Sequence, residues 1–177
     1  CQNLKLELLP KLIKLKAASK IYLVKIVTNL GSPRISLAAT EAEIIRCFPV
    51  MQELRPHLSS SNFVEQIGRQ QQAGYQIAYL ECDRQIKALA GFRISENLAF
   101  GKFLYIDDLV TCVQAQSQGF GGALFDWLVE YARSNACEQL HLDSGVQRFA
   151  AHRFYMKKGL HISSHHFSIA FQRHQMT

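Results

Sequence analysis

Apolar and polar positions along the chain alternate between period two and a period near 3.6, and the switches mark the elements. ISLAAT (35–40) reads as a short strand. Thr40 stands three positions before Glu43, a capping box that starts a helix running to about Leu54. Ser60 and Ser61 precede a second helix, NFVEQIGRQQQAG, which stops at Gly74. YQIAYLEC (75–82) and QIKALAGFRI (85–94) are β-rich runs split by Asp83-Arg84, a hairpin signal. KFLYIDDLVTC (102–112) is a third long strand. A glycine-studded turn follows, then a helix to about Ser134 with Leu124, Leu128 and Tyr131 on one face and Trp127 beside it. EQLHLDSG (138–145) alternates as a strand, and VQRFAAHRFYMKKG (146–159) is a helix ending at Gly159. LHISSHHFSIAF (160–171) closes as one or two strands. The order predicts an α/β fold of the α+β type, with a mixed, mostly antiparallel central sheet of about six or seven strands flanked by about four helices.

Residues 4–30 follow no single period. LKLEL alternates like a strand, Leu12 and Leu15 suit a helix, and Pro10 interrupts any helix there. GSPR (31–34) then reads as a linker, so the chain divides into a basic apolar extension (1–33) and a domain (34–177). The extension has two readings: an amphipathic segment lying on a membrane surface, or an appended stretch of no chemical role, the reading favoured. Charge sharpens this division. The formal net charge of +6 suggests an anionic partner, yet residues 1–33 hold six lysines against Glu7 alone. In the remainder, 14 basic residues nearly balance 13 acidic ones, so the domain carries no charge argument for nucleic acid.

Cys1, Cys47, Cys82, Cys112 and Cys137 are widely spaced, odd in number and form no C-x-x-C pair. That argues against a disulfide framework or a zinc site and points to a reducing cytoplasm. His161, His165 and His166 fall in the last run, without H-x-x-x-H or H-E-x-x-H spacing, so no metal is expected. No apolar run reaches the ~18 residues of a membrane span.

The remaining chemistry lies in QSQGFGGALFDWL (116–128), where a glycine turn opens a helix. Amides of a helix's first turn lack intrahelical partners and the dipole there favours anions, which suits a phosphate. Close helix–sheet packing explains the same glycines equally well. No Gly-Lys-Ser/Thr follows, so the turn is not a P-loop, and the spacing does not fit the G-x-G-x-x-G dinucleotide fingerprint.

Gln116-Ser-Gln-Gly119-Phe-Gly121 resembles the Q/R-x-x-G-x-G/A signature of the GNAT superfamily of N-acetyltransferases. AHRFYMKKGL (151–160) resembles that family's A-x-x-x-F/Y-Y-x-x-x-G-F helix and turn, and the likeness extends over about 35–171. The resemblance implies acetyl-CoA as cosubstrate. Its diphosphate would sit on the amides of Ser117, Gln118, Gly119, Phe120, Gly121 and Gly122, with Gln116 at the head of the motif a further cofactor-binding residue. Its pantetheine arm would pair with Leu109, Val110 and Thr111. An amine acceptor would then be acetylated by direct transfer in a ternary complex. Tyr155, at the family's tyrosine position, is the candidate acid for the leaving thiolate. Asp107, nine residues before Gln116, is the candidate base or amine anchor. Asp108 would face the opposite side of its strand, because neighbouring strand residues alternate. Arg148 stands where many relatives have an Asn, and that role is not carried over. The other reading is a non-catalytic acyl-CoA-binding sensor or interaction domain. By analogy with relatives, HFSIAF is a candidate homodimer edge.

Overall fold

A computed structural model describes residues 31–171 of the chain. The first 30 residues, which carry most of the basic extension and its suggested membrane contact, lie outside the described residues. Five strands form one sheet in the order β1 (Arg34–Leu37), β2 (Tyr75–Cys82), β3 (Gln85–Asn97), β4 (Gly101–Thr111), β5 (Gln139–Leu142). The first three pairings are antiparallel and β4–β5 is parallel, so the sheet is mixed and mostly antiparallel as expected. Helices α1 (Glu41–Leu54), α2 (Ser60–Gln72), α3 (Phe120–Ser134) and α4 (Phe149–Lys157) complete the fold. No helix among the described residues is long and apolar enough to cross a membrane.

Local chemistry sets the element ends. The Thr40 hydroxyl accepts the Glu43 amide while the Glu43 carboxylate accepts the Thr40 amide at 3.0 Å, closing the expected capping box. The β2–β3 turn has Asp83 and Arg84 both at positive φ (54° and 61°), the two-residue hairpin geometry that matches strand twist.

The sheet separates two apolar layers. Ile44, Cys47, Val50 and Met51 of α1 and Phe63 and Ile67 of α2 pack on Tyr75, Ile77, Tyr79 and Leu89. On the other face, Leu124, Phe125, Leu128 and Ala132 of α3 pack on Ala78, Leu80, Ala90, Phe92, Leu104 and Ile106. Each large side chain fully buried here contributes about 1.5–3 kcal/mol. Cys47 behaves as one of these hydrophobes, its thiol pushed up to about 12 by burial.

One expectation fails. Residues 160–171 contain neither helix nor strand, so five strands are present among the described residues rather than six or seven. Alternation yields a strand only when a neighbouring edge pairs with it and one face becomes buried. Here residues 161–171 are all exposed, and the pairing of β5 is with β4. An ion pair ties this segment to the body, His166 Nδ1 to Asp143 Oδ2 at 2.9 Å.

Candidate active site

The site is organised by one irregularity in β4. Register runs Gly91↔Asp108 and then Phe92↔Ile106, so Asp107 is an extra residue with no opposite number on β3. Such a bulge shifts the alternation by one position. Leu104 and Ile106 point to the α3 layer, and so does Leu109, three positions on rather than two. Asp107 and Asp108 are thereby delivered to the same side, and both line one cavity on the α1–α2 face. The simple alternation that would have sent them to opposite faces does not hold.

Each carboxylate there has its own arginine. Asp107 Oδ2 accepts from Arg93 Nε at 2.9 Å. Asp108 Oδ1 accepts from Arg55 Nε at 2.8 Å, and its Oδ2 accepts the Tyr75 hydroxyl at 2.8 Å. Arg55 also donates Nη2 to the Asp107 carbonyl at 3.2 Å. Gly91 makes this possible, since a Cβ there would lie 1.8 Å from the Tyr75 hydroxyl. Burial raises Asp107 above the usual carboxylate range, and Arg93 opposes that shift. Burial and the neighbouring Asp108 push the Tyr75 hydroxyl far up, so it remains a donor.

A second cavity opens where β4 and β5 part. Their pairing covers only Phe103–Ile106 against Gln139–Leu142, so Asp107–Thr111 carry no strand on that edge. The space, about 450 Å³, is walled by Leu54, Tyr105, Leu109, Asp143, Arg148 and Tyr155 among others. Asp107 and Arg55 line both this cavity and the smaller one of about 260 Å³. They therefore stand between the two. Burial raises the Tyr155 phenol, with Arg148 opposing, so it keeps its proton at neutral pH. Tyr105 donates to Asp143 at 2.6 Å and closes the outer wall.

Beyond β4 a short 3₁₀ turn (Val113–Ala115) leads to α3. The three glycines there share no single cause. Gly119, the N-cap of α3, has φ 89°, a left-handed conformation that side chains disfavour. Gly121 lies against β4: a Cβ there would sit 2.5 Å from Thr111 Oγ1. Gly122 meets only the end of Lys158 at 3.5 Å, so no steric conflict within the protein demands glycine. The amides of Ser117 through Gly122 have no protein acceptor among the described residues.

The family model for the acetyltransferase (GNAT) family matches residues 37–160. The chain belongs to the GNAT acetyltransferase family. A Bacillus subtilis (strain 168) protein named as the uncharacterized N-acetyltransferase YhdJ is 33% identical over 130 residues, 72% of this chain and 92% of that protein. Glucosamine-6-phosphate N-acetyltransferase from Arabidopsis thaliana superposes with a TM-score of 0.65 at 19% identity, covering 80% of this chain and all (100%) of that one. Ribosomal-protein-alanine N-acetyltransferase from Brucella melitensis biovar Abortus 2308 gives 0.69 at 14% identity, covering 79% and 100%. These two likenesses show the GNAT fold.

The residues singled out from the sequence fall into two groups in this GNAT domain. Asp107, Leu109 and Tyr155 share the larger cavity, while Gln116–Gly122 form the turn into α3. Val110 and Thr111 continue the free edge of β4 toward that turn. Sequence reasoning misses Arg55, Arg93 and Tyr75. A signal for the bulge exists in the sequence: the apolar positions Leu104, Ile106 and Leu109 break period two at the paired acids. Of the histidines, His141 stacks on Phe100 with centroids 4.3 Å apart, and His152 bonds the Gly145 carbonyl. No group of three metal-ligating side chains occurs among the described residues.

Proposed function

We propose that the chain transfers the acetyl group of acetyl-CoA to the nitrogen of an amine held in the smaller cavity. The observation that carries this reading is the position of Asp107. It lines both cavities and shares the larger one with Tyr155, so an amine and a thioester entering from the two sides meet beside it. The free amides of Ser117–Gly122 and the open approach at Gly122 fit a coenzyme A diphosphate. Leu109, Val110 and Thr111 pair with β3 on one side and leave the other edge of β4 open to the pantetheine amides.

In this scheme Asp107, ionised, draws a proton from the ammonium, directly or through water. The freed nitrogen forms a bond to the acetyl carbon as the carbon–sulfur bond breaks, and it gives up a second proton to solvent as the amide forms. Tyr155 gives its proton to the departing thiolate and regains one from solvent. The products are the N-acetyl amine and the coenzyme A thiol. The weakened acidity of both groups suits these roles, the carboxyl as a stronger base and the phenol as a proton reservoir. The two superposed acetyltransferases are named for different acceptors, a sugar phosphate and a protein alanine, so the fold alone leaves the acceptor open.

Thiol release from acetyl-CoA across an amine panel tests the proposal. Turnover of at least one amine, lost or strongly slowed in Tyr155→Phe, is expected. Tight coenzyme A binding with no turnover of any amine would refute it and favour a sensor.

A further inference from the structure

The smaller cavity carries a charge pattern that narrows the acceptor, given the acetyltransferase reading. Its wall holds two acids, Asp107 and Asp108, and two bases, Arg55 and Arg93. Within the protein these four already cancel pairwise. The guanidinium edges are far from exhausted, however. A guanidinium has five N–H donors in a planar fork. Arg93 commits Nε to Asp107, and its Nη1–Nη2 end has no protein acceptor among the described residues. It is also held in place, its guanidinium carbon 5.6 Å from the Tyr75 ring centroid. Arg55 commits Nε and one Nη2 donor, leaving Nη1 without a protein acceptor among the described residues.

An acceptor that is only a cation fits this arrangement poorly. Its ammonium would approach carboxylates whose charge is already matched, beside two fixed guanidinium groups. A polyamine would add a second cation to the same surroundings. A molecule carrying an anion next to its amine meets complementary charge at both ends. The planar fork of an arginine suits a carboxylate, which it binds through two parallel hydrogen bonds.

We propose that the acceptor is a small amino acid-type molecule, its carboxylate seated on the free edges of Arg93 and Arg55 and its amine at Asp107. The cavity, about 260 Å³, has room for a molecule of this kind. Gln66, Gln70 and His57, which also line the cavity, give a polar surrounding to the rest of the molecule.

The test compares each standard amino acid with its own carboxamide, which keeps the amine and side chain and removes the anion. With wild-type protein, kcat/KM for the best amino acid should exceed that for its carboxamide by at least about tenfold. In Arg93→Gln and Arg55→Gln the ratio should collapse toward one, whatever happens to the absolute rates. A purely structural role for these arginines would lower both substrates together and keep the ratio, which would overturn the assignment. Binding of the same pairs to wild-type protein with coenzyme A, by calorimetry, gives a readout independent of variant folding, and equal affinities would likewise overturn it. Carboxamides or decarboxylated amines turned over as well as amino acids would refute the acceptor class while leaving acetyl transfer intact. No turnover of any amine would remove both.

Discussion

Replacing Asp108 with asparagine preserves shape and removes one acceptor oxygen, which leaves one of its two donors without an acceptor. The native carboxylate accepts from two donors, Arg55 Nε and the Tyr75 hydroxyl, each at 2.8 Å. Its side chain is 11% exposed and Tyr75 is 2% exposed. An amide has one oxygen and one NH2, so with the oxygen kept on Arg55 the NH2 faces the Tyr75 oxygen, and the Tyr75 proton loses its acceptor. Tyr75 has little room to turn away, because its ring end lies against the backbone at Gly91. Losing a hydrogen bond to a charged group at a buried site costs about 1.5–3 kcal/mol. For a domain of this size that lowers the Tm by roughly 4–10 °C. Urea unfolding with linear extrapolation measures the difference directly. Tyr75→Phe should cost less, about 1 kcal/mol, since it removes the donor itself. The double variant should be more stable than the sum of the two losses predicts, because the introduced amide then has only Arg55 to satisfy. Full additivity would show that the Tyr75–Asp108 bond is not what Asp108 contributes. Native stability together with lost acetyl transfer in Asp108→Asn would mean that Asp108, rather than Asp107, meets the amine.

Tyr155→Phe should lower kcat by on the order of 10²-fold with coenzyme A affinity unchanged, read by stopped-time thiol release and calorimetry. Gly121→Ala should destabilise by about 1–3 kcal/mol, because the new methyl meets Thr111 Oγ1, and Thr111→Ala in the same chain should restore most of it. Burial raises Asp107, so kcat should rise with pH through a value above the ordinary carboxylate range. Arg93→Gln, which removes the opposing influence, should move that rise to higher pH. The same shift acts on stability with a fixed sign: in the window between the unfolded and the higher folded value, the folded chain holds a proton the unfolded chain has lost. Asp107 therefore lowers stability as pH rises through that window, and Asp107→Asn should flatten that part of the urea-derived profile.

How much of this was legible in the sequence depends on how local each cause is. The capping box at Thr40, the Asp83-Arg84 hairpin and the helix after Gly119 are set by residues within four positions of one another, and all three stand as read. The strand expected in 160–171 is not local: it requires a partner edge, and an alternating pattern says nothing about whether one is available. Asp107 and Tyr155 came from a family resemblance, and the structure brings them to one cavity. Arg93 could not be reached that way. It stands 14 residues from Asp107 and meets it only because β3 and β4 pair in a particular register.

That register is also where the two cavities acquire a common wall. Were Asp107 paired in register rather than bulged, β4 would continue its alternation and Asp108 would point into the α3 layer, against Leu104, Ile106 and Phe92. A carboxylate there would be buried among apolar side chains without a partner, at a cost of several kcal/mol or more. The bulge removes that cost by turning both acids to the side where Arg55, Arg93 and Tyr75 can meet them. The same side faces the α1–α2 cavity, while the edge of β4 beyond Ile106 stands clear of β5. A single backbone irregularity thus satisfies two partly buried charges and sets one of them between the spaces proposed for donor and acceptor. Gly91, opposite the bulge, belongs to the same device: Gly91→Ala should disturb Tyr75, Asp108 and the amine side of the site together, although it touches neither proposed substrate.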